Sequence, residues 1–95
     1  MDISKSDIVV SLAGRDKDQF FYVIGLEGEY ALLANGKQRK LECPKRKKPK
    51  HLCFAARIDS RVAMKIRNGD KVLNSELRRD LAVYGQKSNS QNQGG

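Results

Sequence analysis

Short apolar runs separated by polar turns cover the first half of the chain, a pattern typical of β-strands. The first run, DIVVSLAG, alternates so that Ile8 and Val10 lie on one face of the predicted strand and Val9 on the other. After a polar turn, the aromatic and β-branched residues 20–26 predict a second strand.

An Asn-Gly pair between two further runs predicts a β-hairpin. Asn35-Gly36 suits a two-residue type I′ turn, in which both central residues take positive φ. Such a turn fixes the register of the two strands. The predicted pairs are Ala34 with Lys37, Leu32 with Arg39, and Tyr30 with Leu41.

The segment CPKRKKPKH, residues 43–51, follows this hairpin, and five of its nine residues are Lys or Arg. Pro44 and Pro49 lack an amide donor, so the segment is not expected to be an inner strand. Residues 51–56 can re-enter the sheet as a short strand. The basic segment is therefore predicted to be held between ordered elements rather than to be a free tail.

The apolar spacing changes to a helical period in the second half. A first helix is predicted over about 59–68, capped by Asp59, with Val62 and Ile66 on its apolar face and Gly69 as its stop.

A second helix is predicted over about 75–84, with Asn74 as its cap and Gly85 as its stop. Residues 87–95 are polar and end in glycine, which predicts a disordered tail. The apolar stripe of this helix is formed by Leu77, Leu81 and Tyr84.

Strands followed by helices give an α+β order. We predict one small domain over residues 1–86, built as a small β-barrel or curled sheet of about five short strands followed by two short C-terminal helices. The helices are expected to be structural, because their apolar stripes need a surface to cover. Arg78 and Arg79 lie off the second stripe and are not expected to contact a nucleic acid.

Positive charge is concentrated in one part of the chain. The net charge of the 95 residues is +8, and residues 37–50, with eight basic groups and one acidic group, carry +7. Residues 1–36 carry −3 and residues 51–95 carry +4. Clustering of this kind predicts an anionic partner, because solubility alone does not require it.

Other classes of protein are less well supported by the sequence. We see no signal peptide and no apolar run long enough to span a bilayer, so a cytoplasmic location without membrane binding is expected. Cys43, His51 and Cys53 give only three candidate zinc ligands at an unusual spacing, so no metal and no cofactor are expected. No nucleophile–base pair or glycine-rich phosphate loop indicates an enzyme or a small-molecule substrate.

The stretch DIVVSLAGRDKDQFFYVI resembles the KOW motif, a strand–loop–strand unit of ribosomal proteins and transcription elongation factors. The likeness rests on Val9, Val10, Gly14, Arg15, Asp16, Lys17 and Val23. The stretch LLANGKQRKLECPKRKKPKHL is similar to the continuation in short bacterial KOW-domain RNA-binding proteins, which are themselves similar to KOW-family large-subunit ribosomal proteins of archaea and eukaryotes. The resemblance covers roughly residues 6–54.

The chain departs from the KOW pattern at two places. KOW motifs usually have a glycine at the opening, where this chain has Ser6-Asp7, and often a second one after the loop lysine, where it has Asp18. Asp18 can still adopt a left-handed turn conformation. The resemblance implies an SH3-like barrel, RNA binding and no catalytic activity.

The predicted partner is therefore RNA, such as ribosomal RNA or the ribosome, with a role in translation and a monomer favoured. Lysine supplies charge for phosphate, and arginine suits bidentate or stacked contacts. Two alternatives stay open: a helix-turn-helix-like DNA-binding protein, and a basic adaptor that binds an acidic protein. The candidate RNA-binding residues are Arg15, Lys17, Lys37, Arg39, Lys40, Lys45, Arg46, Lys47, Lys48, Lys50 and His51.

Overall fold

The computed structural model describes residues 2–93 of the chain and the side chains of residues 2–86. The predicted α+β order is confirmed: a five-stranded antiparallel sheet precedes two helices. The strands are β1 Ile8–Ser11, β2 Phe20–Glu27, β3 Tyr30–Ala34, β4 Lys45–Lys47 and β5 Leu52–Ala56, a 3₁₀ helix spans Pro49–His51, and the helices are α1 Arg61–Asn68 and α2 Asn74–Gln93.

The sheet is open but strongly curled. Its strand order is β4-β3-β2-β1-β5, so that β4 and β5 are the two edges. In a flat sheet, β4 and β1 would lie about 14 Å apart, three strand spacings. Here the Lys47 ammonium on β4 lies 2.6 Å from Ser11 Oγ on β1. A register shift between Val23 and Gly25 on β2 lies where a bulge adds to bending and twist.

Each face of the sheet has its own apolar core, because successive strand residues point to opposite sides. Inside the curl, six buried side chains form one cluster: Val9, Phe21, Val23, Ala31, Leu33 and Leu52. On the outer face, the sheet packs against both helices. That second cluster comprises Ile8, Tyr22 and Ala34 from the sheet with Val62, Ala63, Ile66, Leu77 and Leu81 from the helices. The expected structural role of the two apolar stripes is confirmed.

The predicted Asn-Gly hairpin is wrong. β3 pairs with β4, with Leu32 opposite Arg46, and residues 35–44 form a wide loop between them. Gly36 takes a positive φ of 77°, but Asn35 does not, as a type I′ turn would require. The Asn35 side-chain oxygen instead accepts hydrogen bonds from the amides of Lys37 and Arg39, both at 3.0 Å. The side chain thereby shapes a broader turn.

The wide loop is closed by α2 rather than by a partner strand. Asn74 Oδ1 accepts a hydrogen bond from the Leu41 amide at 2.8 Å, and the Arg78 guanidinium donates to the Gly36 carbonyl at 2.6 Å. Asn74 is therefore not the predicted helix cap, since its side chain is committed to the loop. The start of α2 is stabilised by Glu76, whose carboxylate accepts from the Leu73 amide at 2.9 Å.

The remaining helix boundaries differ in part from the prediction. Ser60, not Asp59, caps α1, and its hydroxyl accepts from the Ala63 amide. Gly69 ends α1 in the left-handed conformation, as predicted. Gly85 does not end α2, because an interior glycine costs only about 1 kcal/mol and Phe20 packs beside it. α2 continues to Gln93 and therefore includes residues 87–93, which the sequence predicts to be a disordered tail. Residues 94–95 lie outside the described residues.

A buried tyrosine joins the sheet to both helices. The Tyr22 hydroxyl donates to the Asp80 carboxylate on α2, which also accepts from Ser60 at the start of α1 at 2.9 Å. Burial and this donation to Asp80 raise the pKa of Tyr22 well above its ordinary value of 10.0. Neither helix is long and apolar enough, over the residues that the structure describes, to cross a membrane.

Replacing Gly36 by alanine should destabilise the fold more than the same change at another left-handed glycine. A Cβ at Gly36 would meet the Asn74 carbonyl oxygen at 2.1 Å, whereas one at Gly28, φ 58°, meets nothing within 4 Å. Strain at positive φ costs roughly 1–2 kcal/mol at either site, and the clash adds about 1–3 kcal/mol at Gly36. Urea unfolding of Gly36→Ala and Gly28→Ala measures the difference. Equal losses would contradict the close approach of loop and helix.

Candidate nucleic-acid interface

Two loops form the candidate interface: the first loop, residues 12–19, and the wide loop, residues 35–44. The first loop is held at its base because the Asp18 amide donates to the Ser11 carbonyl at 2.8 Å and the Ser11 amide to the Gln19 carbonyl at 3.1 Å. Asp18 takes a φ of 71°, the left-handed conformation expected of it. The loop thus leaves the sheet and returns to it with its tip in solvent.

Asp16 belongs to the first loop but is buried, and it forms ion pairs with two lysines of β4. Its Oδ1 is 2.9 Å from the Lys47 ammonium, and its Oδ2 is 2.6 Å from that of Lys45. Ser11 Oγ donates to the same carboxylate at 2.7 Å. Burial alone would raise the pKa of Asp16, but the contacts with Lys45, Lys47 and Ser11 outweigh it and hold that pKa well below its ordinary value of 3.8.

Lys47 does not fit its predicted role as a surface contact for phosphate. The residue is only 8% exposed, and its ammonium also donates to the Ala13 carbonyl at 2.7 Å. Contact with RNA would require breaking these bonds and leaving the Asp16 carboxylate buried without one of its cations. The sequence could not reveal this, because Lys47 looks identical to its neighbours in a basic run.

Three predicted residues meet around one pocket of about 320 Å³: Arg15 from the first loop, Arg39 from the wide loop and Lys45 from β4. We call it the loop pocket; Gln19 and Gln38 also line it. Lys45 is partly exposed and engaged with Asp16. Among the described side chains, those of Arg15 and Arg39 have no ion-pair or hydrogen-bond partner. Their guanidinium groups therefore keep all their donors for a ligand.

A second pocket of about 560 Å³ adjoins the first, with Gln19 and Gln38 as shared lining. We call it the helix-side pocket, because α2 contributes Arg78, Leu81 and Ala82 opposite Lys37 of the wide loop. From the sequence, Arg78 is not expected to contact RNA, and no sequence pattern indicates that Gln19 and Gln38 belong to a binding surface. Only the docking of the wide loop on α2 brings Arg78 beside Lys37.

Two predicted cations lie elsewhere, on the outer side of β4. The Arg46 guanidinium is 5.1 Å and the Lys48 ammonium 5.9 Å from the centre of the Tyr30 ring. Arg46 also pairs with Glu27 at 2.5 Å, with both side chains more than half exposed. An exposed pair of this kind contributes about 0–1 kcal/mol. This cluster is separate from the two pockets.

The other predicted residues are exposed. Lys50 and His51 lie in the 3₁₀ helix, whose His51 carbonyl accepts from the Leu12 amide at 2.9 Å. They are thus next to the first loop. Lys17 and Lys40 are exposed on the first loop and the wide loop, respectively. Within the described residues, no group of three or more His, Cys, Asp or Glu side chains is arranged to hold a metal ion.

A scan against protein-family models and a search of curated proteins found no match for this chain. Its resemblance to KOW proteins therefore stays a prediction from the residues quoted above.

Replacing Asp16 by asparagine should strongly destabilise the fold, by about 3–5 kcal/mol, because it leaves two ammonium groups near a buried, uncharged amide. Lys45→Gln is a matched control, since it removes a partly exposed partner and leaves the Asp16–Lys47 pair intact. Urea unfolding at pH 7 measures both. A loss for Asp16→Asn no larger than for Lys45→Gln would contradict a structural role for the buried pair.

The Asp16 carboxylate should also make stability sensitive to acid. Because its pKa is lower in the folded state, its contribution is fully present above the ordinary value near 3.8 and is lost as pH falls toward the folded-state value. Urea titrations of the parent and Asp16→Asn at pH 6, 4 and 2.5 test this. The stability difference between them should be constant from pH 6 to about pH 4.5 and should shrink below pH 4.

Proposed function

We propose that this chain is a non-enzymatic RNA-binding protein whose contact surface is the loop pocket and the helix-side pocket together, here called the basic groove. One observation carries the proposal. Arg15 and Arg39 come from different loops, converge on one pocket, and have no carboxylate partner among the described side chains. Unneutralised guanidinium groups are suited to bidentate contacts with phosphate.

The buried Asp16 cluster supports this proposal, because it fixes the surface before a ligand arrives. Asp16 neutralises the charge of Lys47 and also forms an ion pair with Lys45. Because both lysines belong to β4, these ion pairs hold the first loop against that strand. A loop ordered in advance loses less conformational entropy when it binds. Phosphate contacts from Lys37 and Arg39, with long-range attraction from Lys40 and Lys50, then supply affinity without reading sequence.

Backbone conformation supports the KOW resemblance at the two places where the sequence departs from it. Ser6 and Asp18 occupy or adjoin positions where KOW motifs carry glycine, and both have positive φ, 77° and 71°. These are the two non-glycine residues with positive φ in the described part of the chain. We propose on this basis that the fold is an SH3-like, incompletely closed barrel. We also propose that the protein is a cytoplasmic monomer and that its ligand is an RNA such as ribosomal RNA.

The helix-turn-helix alternative has less support. A recognition helix presents a free face to the major groove of DNA. On α2, Leu77 and Leu81 are buried against the sheet and Arg78 donates to the Gly36 carbonyl. Over residues 74–86, Arg79 is thus the one arginine of the exposed helix face that does not bond to the wide loop. The adaptor alternative is supported by one feature, the partly exposed cluster of Arg46, Lys48 and Tyr30, and it is tested together with RNA below.

Removing the two free guanidinium groups should weaken RNA binding and its salt dependence. For the double variant Arg15→Gln/Arg39→Gln, the slope of log affinity against log salt for an RNA stem-loop should flatten by roughly 1.4–1.8 units, if each arginine meets one phosphate. The control Arg61→Gln/Lys71→Gln removes the same charge from exposed positions away from the groove. Fluorescence anisotropy from 50 to 300 mM salt measures both.

The same titration with a DNA duplex and with polyglutamate separates the alternatives. We expect the parent to prefer RNA and the control to keep the parental slope. Preference for duplex DNA would favour the helix-turn-helix alternative, and preference for polyglutamate would favour the adaptor. Equal flattening in both double variants would mean that binding follows net charge alone and not the basic groove.

A further inference from the structure

The helix-side pocket has a composition that phosphate binding does not explain. Phe20, Leu81 and Ala82 give it an apolar lining, Lys37 and Arg78 contribute two positive charges, and Asp18 contributes one negative charge. A phosphate-binding surface needs the cations but not the apolar lining. An apolar surface beside cations matches a nucleotide, whose base is flat and largely apolar on its faces and whose phosphate is an anion.

We propose that the helix-side pocket takes a single unpaired nucleobase of the bound RNA, with the adjoining phosphates on Arg39, Lys37 and Arg78. This inference rests on the proposed RNA-binding function and names the part of the RNA that the groove recognises. The pocket volume of about 560 Å³ lies within the range of small-ligand sites, roughly 300–1,000 Å³. This volume is sufficient for one base.

The shared glutamines supply polar groups for the edge of such a base. Gln38 Oε1 accepts from Asn35 Nδ2 at 3.1 Å, whereas Gln38 Nε2 donates to no described residue. Gln19 Oε1 is shielded from solvent and accepts no hydrogen bond from the described residues. A buried carbonyl without a donor is unfavourable, so turning the Gln19 amide toward a bound base breaks no bond of that oxygen and gains one. Together the amides offer one donor and one acceptor.

No carboxylate among the described side chains forms an ion pair with the two cations that line the pocket. Arg78 donates to the uncharged Gly36 carbonyl and keeps its full positive charge. Lys37 is exposed and has no ion-pair partner among the described side chains. A base inserted between these residues brings its flanking phosphates near two unneutralised cations, and those of Arg39 and Arg15 lie beyond the shared glutamines.

Two RNAs that differ by one nucleotide test the proposal with the full chain: a 12-base-pair duplex, and the same duplex with one unpaired nucleotide bulged from its centre. The parent should bind the bulged RNA about tenfold more tightly, the effect of one stacked base. Ala82→Phe fills the pocket from an exposed helix position and should abolish this preference while keeping affinity for the uninterrupted duplex. Val83→Phe, at the next exposed position outside the pocket lining, should behave as the parent.

Gln19→Met provides a second test that distinguishes ligand binding from folding. It keeps the length of the side chain and removes the buried oxygen, so the thermal midpoint should be equal to or above that of the parent. The preference for the bulged RNA should fall about threefold, the effect of one hydrogen bond. A lower midpoint with unchanged preference would assign Gln19 a structural role and contradict its part in the site.

The outcomes separate the two proposals. No measurable binding of either RNA by the parent would overturn the proposed function, and the base site with it. Equal binding of the two RNAs by the parent would overturn the base site alone and leave the phosphate-binding groove. Equal loss of preference in Ala82→Phe and Val83→Phe would also overturn it, because the effect would not depend on the pocket.

Discussion

The buried contact between Lys47 and Asp16 determines the shape of this domain. It joins the far edge strand β4 to the loop after β1, which the curl of the sheet brings together. One ammonium group donates to a hydroxyl, a carbonyl and a carboxylate, so its charge and donors are satisfied within the protein. The same contact orders the first loop and removes Lys47 from the surface. The contact that the curl of the sheet makes possible thus also determines how the first loop presents Arg15.

The candidate surface depends on a second contact, between the wide loop and α2. Asn74 and Arg78 bond to backbone groups of the loop, and Gly36 permits the close approach of the two backbones. Leu77 and Leu81, which share one face of the helix with Asn74 and Arg78, pack the helix on the sheet. A helix whose apolar face is structural therefore still contributes a cation to the basic groove. The groove is made by packing rather than by any continuous stretch of sequence.

The sequence predicted those features that depend on neighbouring residues. Apolar alternation located β1, aromatic and β-branched residues located β2, and Gly69 marked the end of α1, because strands and helix caps follow local rules. The prediction from sequence was wrong where the conformation depends on contacts between residues that are far apart along the chain. The partner of Lys47 lies 31 residues away, and the partners of Asn74 and Arg78 in the wide loop lie 33 and 42 residues away. Asn35-Gly36 favours a tight turn locally, but these distant bonds stabilise a wide loop instead.

The dependence of the wide loop on α2 has a consequence for the order of events during synthesis. A chain emerges from the ribosome amino end first, so residues 35–44 leave the exit tunnel well before Asn74 and Arg78 do. Until then the loop lacks the two bonds that shape it. A chain that ends before residue 74 carries all of the basic segment's charge, whereas the two contacts that shape the groove form only after α2 has docked.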